Sequence, residues 1–252
     1  MTRLELRGRR ALVTGAGQRV GRAIALRLGA EGMRVALHCN ASVSGAENTL
    51  AALRALGSDG LVLQADLTSR DAARTLVDAA CAALGGLDLL VASAASFERI
   101  ALGEVDDAAW DRSLGLNLGS QFALAQRALP ALRQSRGSIV FVTCSSATTP
   151  FRNYLPYVVS KGALRHLTRA LALECAPEVR VNAVAPGAVL PPANTPTAAL
   201  ERIVSRIPLA RLGEADDVAE AVVYLASAPF VTGHELVVDG GRTVAGLDTG
   251  AG

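Results

Sequence analysis

The stretch Ala11-Leu12-Val13-Thr14-Gly15-Ala16-Gly17-Gln18-Arg19-Val20-Gly21, with the apolar-faced segment that runs on to Glu31, decides the fold. A short apolar run such as Ala11–Thr14 reads as a buried strand. The segment Val20–Glu31 repeats its apolar residues at helical spacing. Glycines between the two let the backbone approach a pyrophosphate, whose charge would rest on the helix N-terminus. The same glycines also suit a purely structural turn. Arg19 interrupts the glycine pattern, and its guanidinium could grip a phosphate through two parallel N–H groups.

The same alternation continues outward. Further strands are expected at Arg34–His38, Leu61–Ala65, Leu87–Ala92, Ser138–Thr143, Arg180–Ala185 and Glu235–Val238. Helices are expected at Ser44–Leu56, Ser69–Leu84, Asp107–Gln134, Tyr154–Ala176 and Glu214–Ala226. Strand–helix–strand repetition implies α/β architecture: one doubly wound, Rossmann-type, seven-stranded parallel sheet with helices on both faces. Strands apolar throughout fit a sheet with no wet face. Ligands of such sheets lie beyond the carboxyl ends of the strands, at the switch point.

The 252 residues, half of them hydrophobic, suffice for a single domain over 1–252 with a full core. Net charge is +2 without blocks of like charge, so neither a nucleic-acid surface nor a polybasic membrane patch is expected. The N-terminus lacks the pattern of a signal peptide, and no apolar run reaches the roughly 20 residues of a membrane helix. Cys39, Cys81, Cys144 and Cys175 form no C-x-x-C pair and no zinc spacing, so no metal is expected and a reducing, cytoplasmic setting is. The small Gly-rich tail at 247–252 reads as disordered.

The chemistry concentrates near Tyr157-Val-Val-Ser-Lys161. Residues four apart share a helix face, and an ammonium beside a phenol lowers its pKa from about 10. Such a Tyr could exchange a proton with a carbonyl or imine, although an exposed Tyr and a solvated Lys have the same spacing. The second strand ends in His38-Cys39-Asn40-Ala41-Ser42 without a carboxylate to take a ribose 2′-hydroxyl. The donors His38, Asn40, Ser42 and Arg19 favour a 2′-phosphate, hence NADP(H), over a loop indifferent to the two cofactors. Asp66, before Leu67, could accept from an adenine amino group or cap the helix after Ser69. Small residues at Ser93 and Ala94 leave room for a ribose or nicotinamide, or for close helix packing. Asn117, inside a long helical stretch, is a poor helix former that could hold water or the Lys161 backbone, or be a satisfied buried amide.

Together these motifs resemble the short-chain dehydrogenase/reductase superfamily. Their carriers are the turn Thr14–Gly21, Asp66-Leu67, Asn117, Tyr157-x-x-x-Lys161, Arg180-Val-Asn-Ala-Val-Ala-Pro-Gly187 and Gly233-His-Glu-Leu-Val-Val-Asp-Gly-Gly241. The pteridine reductase branch is the most similar, through Arg19, Leu37-His38, Gln64-Ala-Asp-Leu67 and Ala95-Ser-Phe97. The resemblance implies that Gly15, Gln18, Arg19, Val20 and Gly21 hold the pyrophosphate and adenosine end, and that Asp66 and Leu67 hold the adenine. It implies Tyr157 as general acid, with Lys161 binding the nicotinamide ribose and lowering the Tyr pKa. Asn117 would join a proton relay through water, and Pro186-Gly187 would lie near the nicotinamide amide.

Three departures stand out. Thirteen residues before the Tyr, where the superfamily has a catalytic Ser, is Cys144, a weaker hydrogen-bond donor. Ser145 would serve instead if a bulge shifted the register. The usual Asn-Asn-Ala-Gly after the fourth strand is Ala92-Ser93-Ala94-Ala95, which removes bracing amides. The branch's Arg–Ser pair is Ala41-Ser42, so Arg19 bears more of the phosphate charge. The expected activity is hydride transfer from NADPH to C=N or C=O of a small molecule, foremost a pterin or dihydrofolate, with a 3-oxoacyl or other ketone as alternative. A degenerate NADP(H)-binding sensor or scaffold is the reading from another class. Residues 188–210 would form the substrate loop and lid, with Phe97, Tyr154 and Leu190 lining the pocket; Phe97 fits a core edge equally well. Such chains resemble homotetramers.

Overall fold

The computed structural model describes residues 3–191 and 195–245, so the expectation for the tail at 247–252 lies outside the described residues. Seven strands alternate with helices. They are β1 (Arg10–Val13), β2 (Arg34–Cys39), β3 (Gly60–Gln64), β4 (Leu89–Ala92), β5 (Ser138–Val142), β6 (Arg180–Pro186) and β7 (Glu235–Val238). The principal helices are α1 (Arg19–Ala30), α2 (Val43–Ala55), α3 (Arg70–Leu84), α4 (Asp107–Leu114), α5 (Ser120–Ser135), α6 (Leu155–Cys175), α7 (Thr197–Val204) and α8 (Ala215–Ser227), followed by the short α9 (Arg242–Ala245). All neighbouring strands pair in parallel, in the order β3-β2-β1-β4-β5-β6-β7. The order reverses direction between β1 and β4, so a crevice opens above their carboxyl ends.

Side-chain alternation along each strand builds two cores. Leu12, Ala36, Leu90, Ile139 and Phe141 face α3, α5 and α6. Ala11, Val13, Val35, Leu37, Leu89, Val91 and Val140 face α1, α2 and α8. The strands are apolar on both faces because both faces are covered.

The long helix expected at Asp107–Gln134 is interrupted. A π turn at Gly115–Gly119 separates α4 from α5, and Asn117 sits in it. One extra residue in the turn swings Asn117 inward, a local change frequent at functional sites. The segment expected as lid is loop-like up to Pro191 and resumes as α7.

Candidate active site

The glycine turn joins β1 to α1 above the crevice. A Cβ added at Gly21 would lie 2.1 Å from the Gly15 carbonyl oxygen, so α1 can approach the turn this closely only with glycine there. Gln18 caps α1 without a side-chain hydrogen bond, and no acid occupies the first turn. The first N–H groups of the helix are therefore left for an anion. Arg19 adopts φ 52°, the left-handed region that favours glycine. Its guanidinium donates to the Leu190 carbonyl, tying the turn to the start of the substrate loop. Val20 packs its side chain on the core, leaving its backbone at the turn.

At the end of β2, Asn40 is exposed and Ser42 packs against Gly17, where an added Cβ would lie 2.8 Å from the Ser42 carbonyl oxygen. No carboxylate stands at 38–42. This donor set fits a phosphorylated ribose beside the turn.

His38 does not act as expected. It is buried; Nδ1 accepts from the Gly15 N–H at 3.2 Å, and Nε2 lies 3.1 Å from the Ala65 carbonyl. These contacts assign the neutral tautomer with the proton on Nε2, and burial holds the pKa below the usual range. His38 braces the turn and has no donor left for a phosphate. Asp66 accepts from the Thr68 N–H and hydroxyl, while Ser69 caps α3. Asp66 is thus exposed beside the crevice rather than a helix cap, whereas the Leu67 side chain is core and offers no contact surface to an adenine.

The loop after β4 is held without the missing amides. Buried Thr14 accepts through Oγ1 from the Ser93 N–H at 2.9 Å and the Ala94 N–H at 3.0 Å. Gln121 Nε2 donates to the Ala94 carbonyl at 3.0 Å. Sequence reasoning missed both. Their only signal is a polar side chain between apolar neighbours, at a strand end and on a buried helix face.

Asn117 also departs from its expected part. Its Oδ1 accepts from the Ser96 N–H at 2.9 Å, and its Nδ2 donates to the Ser96 carbonyl and to Ser160 Oγ, both at 3.1 Å. Fully buried, its side-chain amide clamps the β4 loop to α6. Ser160 in turn donates to the Tyr157 carbonyl at 2.7 Å, so the clamp sets the first turn of the helix that carries Tyr157.

Tyr157 and Lys161 lie on one face of α6, with Lys161 Nζ 5.7 Å from the Tyr157 ring centroid. Lys161 is buried and donates to the Val142 carbonyl at 2.7 Å. Burial lowers its pKa to about 8, against a small opposing pull from Cys144. The Tyr157 pKa is not lowered but pushed well above the phenol range, chiefly by burial, with Cys144 adding to it. Desolvation outweighs the ammonium, whose Nζ lies 5.7 Å from the ring centroid. Tyr157 is thus a phenol at neutral pH, as an ordinary tyrosine is, and its hydroxyl is available as a proton donor.

Cys144 stands at the end of β5, and its side chain interacts with both Tyr157 and Lys161. Ser145 opens the single turn Ser145–Ala147. Pro186 ends β6, and the Gly187 N–H donates to the Val238 carbonyl at 2.9 Å, closing the far side of the crevice. Phe97 stacks on Tyr154 with centroids 4.4 Å apart and meets Tyr157 edge-on at 4.7 Å. Leu190 is not with them; it lines the groove of Arg19, Arg22 and Glu220 between α1 and α8.

A family model described as enoyl-(acyl carrier protein) reductase matches residues 15–243. The chain belongs to the short-chain dehydrogenase/reductase superfamily. This superfamily member is an oxidoreductase. It is 40% identical over 241 residues to the provisionally named ketoacyl reductase 2 of the granaticin polyketide synthase of Streptomyces violaceoruber, covering 92% of this chain and 94% of that one. It is 34% identical to the 3-oxoacyl-(acyl-carrier-protein) reductase FabG of Staphylococcus aureus, covering 92% and 96%. The crystal structure of a short chain dehydrogenase from Burkholderia cenocepacia in complex with NADP matches with TM-score 0.89 and 34% identity, covering 95% of this chain and 99% of that one. The first two of these relatives carry ketoreductase names and none is named a pteridine reductase, so the pteridine reductase branch expected from Arg19 and its neighbours does not find support among them.

Proposed function

We propose that this protein reduces a ketone with NADPH, Tyr157 donating the proton. The observation that carries the proposal is the Tyr157 ring on the same face of α6 as the buried Lys161, whose Nζ lies 5.7 Å from the ring centroid, at the rim of the crevice. When bound, NADPH supplies the hydride to the carbonyl carbon. Tyr157 supplies the proton to the carbonyl oxygen as negative charge grows there, and Cys144 orients that oxygen. Lys161 would hold the nicotinamide ribose, and its ammonium would offset negative charge on the Tyr157 oxygen. Asn40 and Ser42, with Arg19 if it leaves the Leu190 carbonyl, would hold the 2′-phosphate; Gly15, Gln18, Val20 and Gly21 would present backbone to the pyrophosphate. Asp66 would take the adenine edge, and Ser93, Ala94, Pro186 and Gly187 would lie on the nicotinamide side.

The ketoreductase names of the relatives favour a ketone, with a 3-oxoacyl group among the candidates, over a pteridine C=N. A pteridine stays as second reading because the open Phe97 ring suits a flat heterocycle. Four free thiols support a reducing compartment such as the cytoplasm. Exposed apolar residues Phe122 on α5, Leu155 and Leu173 on α6, and Val237 on β7 support a homotetramer.

The test follows NADPH oxidation against ketones and dihydrobiopterin, with wild type and Tyr157→Phe. Wild type should reduce a ketone, the variant should lose at least ~100-fold in turnover, and NADPH should bind at least about tenfold tighter than NADH. Tight NADPH binding with no turnover across the panel would overturn catalysis and leave a cofactor-binding scaffold.

A further inference from the structure

The chain holds only nine aromatic side chains, so their placement is informative. Four of them gather at the active site. Phe97 is at the centre: near-parallel to Tyr154 at 4.4 Å, edge-on to Tyr157 at 4.7 Å, and edge-on to Phe151 at 6.3 Å. Phe151 closes the group against Tyr154 at 5.1 Å. Yet Phe97 is 53% exposed and Phe151 38%. A benzene ring left half in water beside a catalytic phenol is unfavourable unless a ligand covers it.

The platform is also rigid. Ile100 donates its N–H to the Asn153 carbonyl at 2.8 Å and bridges Tyr154, so the two segments that carry the rings are tied together. On the other side of Phe97, Asn117 holds both the N–H and the carbonyl of Ser96. A fixed aromatic surface favours a flat ring, which stacks on it with little loss of rotational freedom. A flexible chain gains contact area there but no stacking, and must be ordered. Because Phe97 touches the Tyr157 ring, a carbonyl within reach of the Tyr157 hydroxyl lies beside this surface.

We propose that Phe97, backed by Tyr154 and Phe151, is a ring-recognition platform, and that the ketone reduced here belongs to a flat fused-ring skeleton rather than a linear acyl chain. The inference rests on the ketone-reductase function proposed above. The carbonyl π bond breaks, a C–H bond forms with hydride from NADPH, and an O–H bond forms with the Tyr157 proton. NADPH leaves as NADP+, and solvent returns the proton to Tyr157.

The test compares 2-tetralone with the N-acetylcysteamine thioester of 3-oxohexanoate, each followed by NADPH oxidation, in wild type, Phe97→Ala and Phe97→Leu. Wild type should favour the bicyclic ketone by at least about tenfold in kcat/KM. Phe97→Ala should lower kcat/KM for the bicyclic ketone at least about fivefold more than for the thioester, chiefly through KM. Phe97→Leu keeps apolar bulk without a π face, and it should show the same selective loss even if the alanine variant folds poorly. Preference for the thioester, or equal losses for both substrates, would overturn the platform and leave the reductase function standing. Preference for dihydrobiopterin over both would overturn the ketone class. Failure to oxidise NADPH with either ketone would overturn both proposals.

Discussion

Lys161 shows how burial reorders what spacing suggests. Its separation of four from Tyr157 correctly puts both on one face of α6, but spacing carries no dielectric information. Buried, the ammonium falls to about 8 from 10.5, and the phenol rises rather than falls. For Lys161 the folded pKa lies below the unfolded one. Below about pH 8 both states hold the proton and the full desolvation penalty weakens the fold. Between about 8 and 10.5 the folded state sheds its proton first, so this group's contribution to stability rises with pH. Without cofactor, the unfolding free energy of wild type minus that of Lys161→Met should therefore rise by on the order of 3 kcal/mol from pH 7 to 10.5. Chemical denaturation at matched pH values measures it, and a flat difference would show that Lys161 is not desolvated. Cys144 was read from its spacing to Tyr157, with Ser145 as the alternative; the coupling of its thiol to Tyr157 came only with the tertiary structure.

At the scale of elements, the β4 loop replaces one bracing scheme by another. The amides that would hold it are absent at Ala92-Ser93-Ala94-Ala95, and Thr14, Gln121 and Asn117 do the work from β1, α5 and the π turn. Thr14→Val keeps the shape of the side chain and removes the acceptor of two N–H groups. It should destabilise the protein by about 2–3 kcal/mol, the cost of leaving both donors unpaired. Urea unfolding decides this: a loss under about 0.5 kcal/mol would mean that the loop is braced elsewhere. The π turn itself was half legible. Asn117 disturbs a helix by its chemistry, yet which partners it gains depends on Ser96 and Ser160, far apart in sequence.

At the scale of the molecule, the parallel sheet and its switch point bring the glycine turn, the β4 loop, Cys144 and α6 to one rim. The outer face is less finished: Leu173 on α6 is 83% exposed and Phe122 on α5 adds to it. Burying such residues against other copies would relieve their hydration, so sedimentation velocity should find a species of four chains. A monomer at micromolar concentration would rule that assembly out. The order of strands and helices, both core faces and the Tyr157–Lys161 pair were determined by the sequence alone, because hydrophobic period and helical spacing are local properties. What needed the folded molecule was every role set by burial or by a distant partner. His38 became a brace because both ring nitrogens met backbone groups. Leu190 left the substrate site for the Arg19 groove. The Tyr157 pKa rose rather than fell because water was excluded around it. Desolvation and long-range hydrogen bonds arise only when separate segments meet, and no local pattern encodes them.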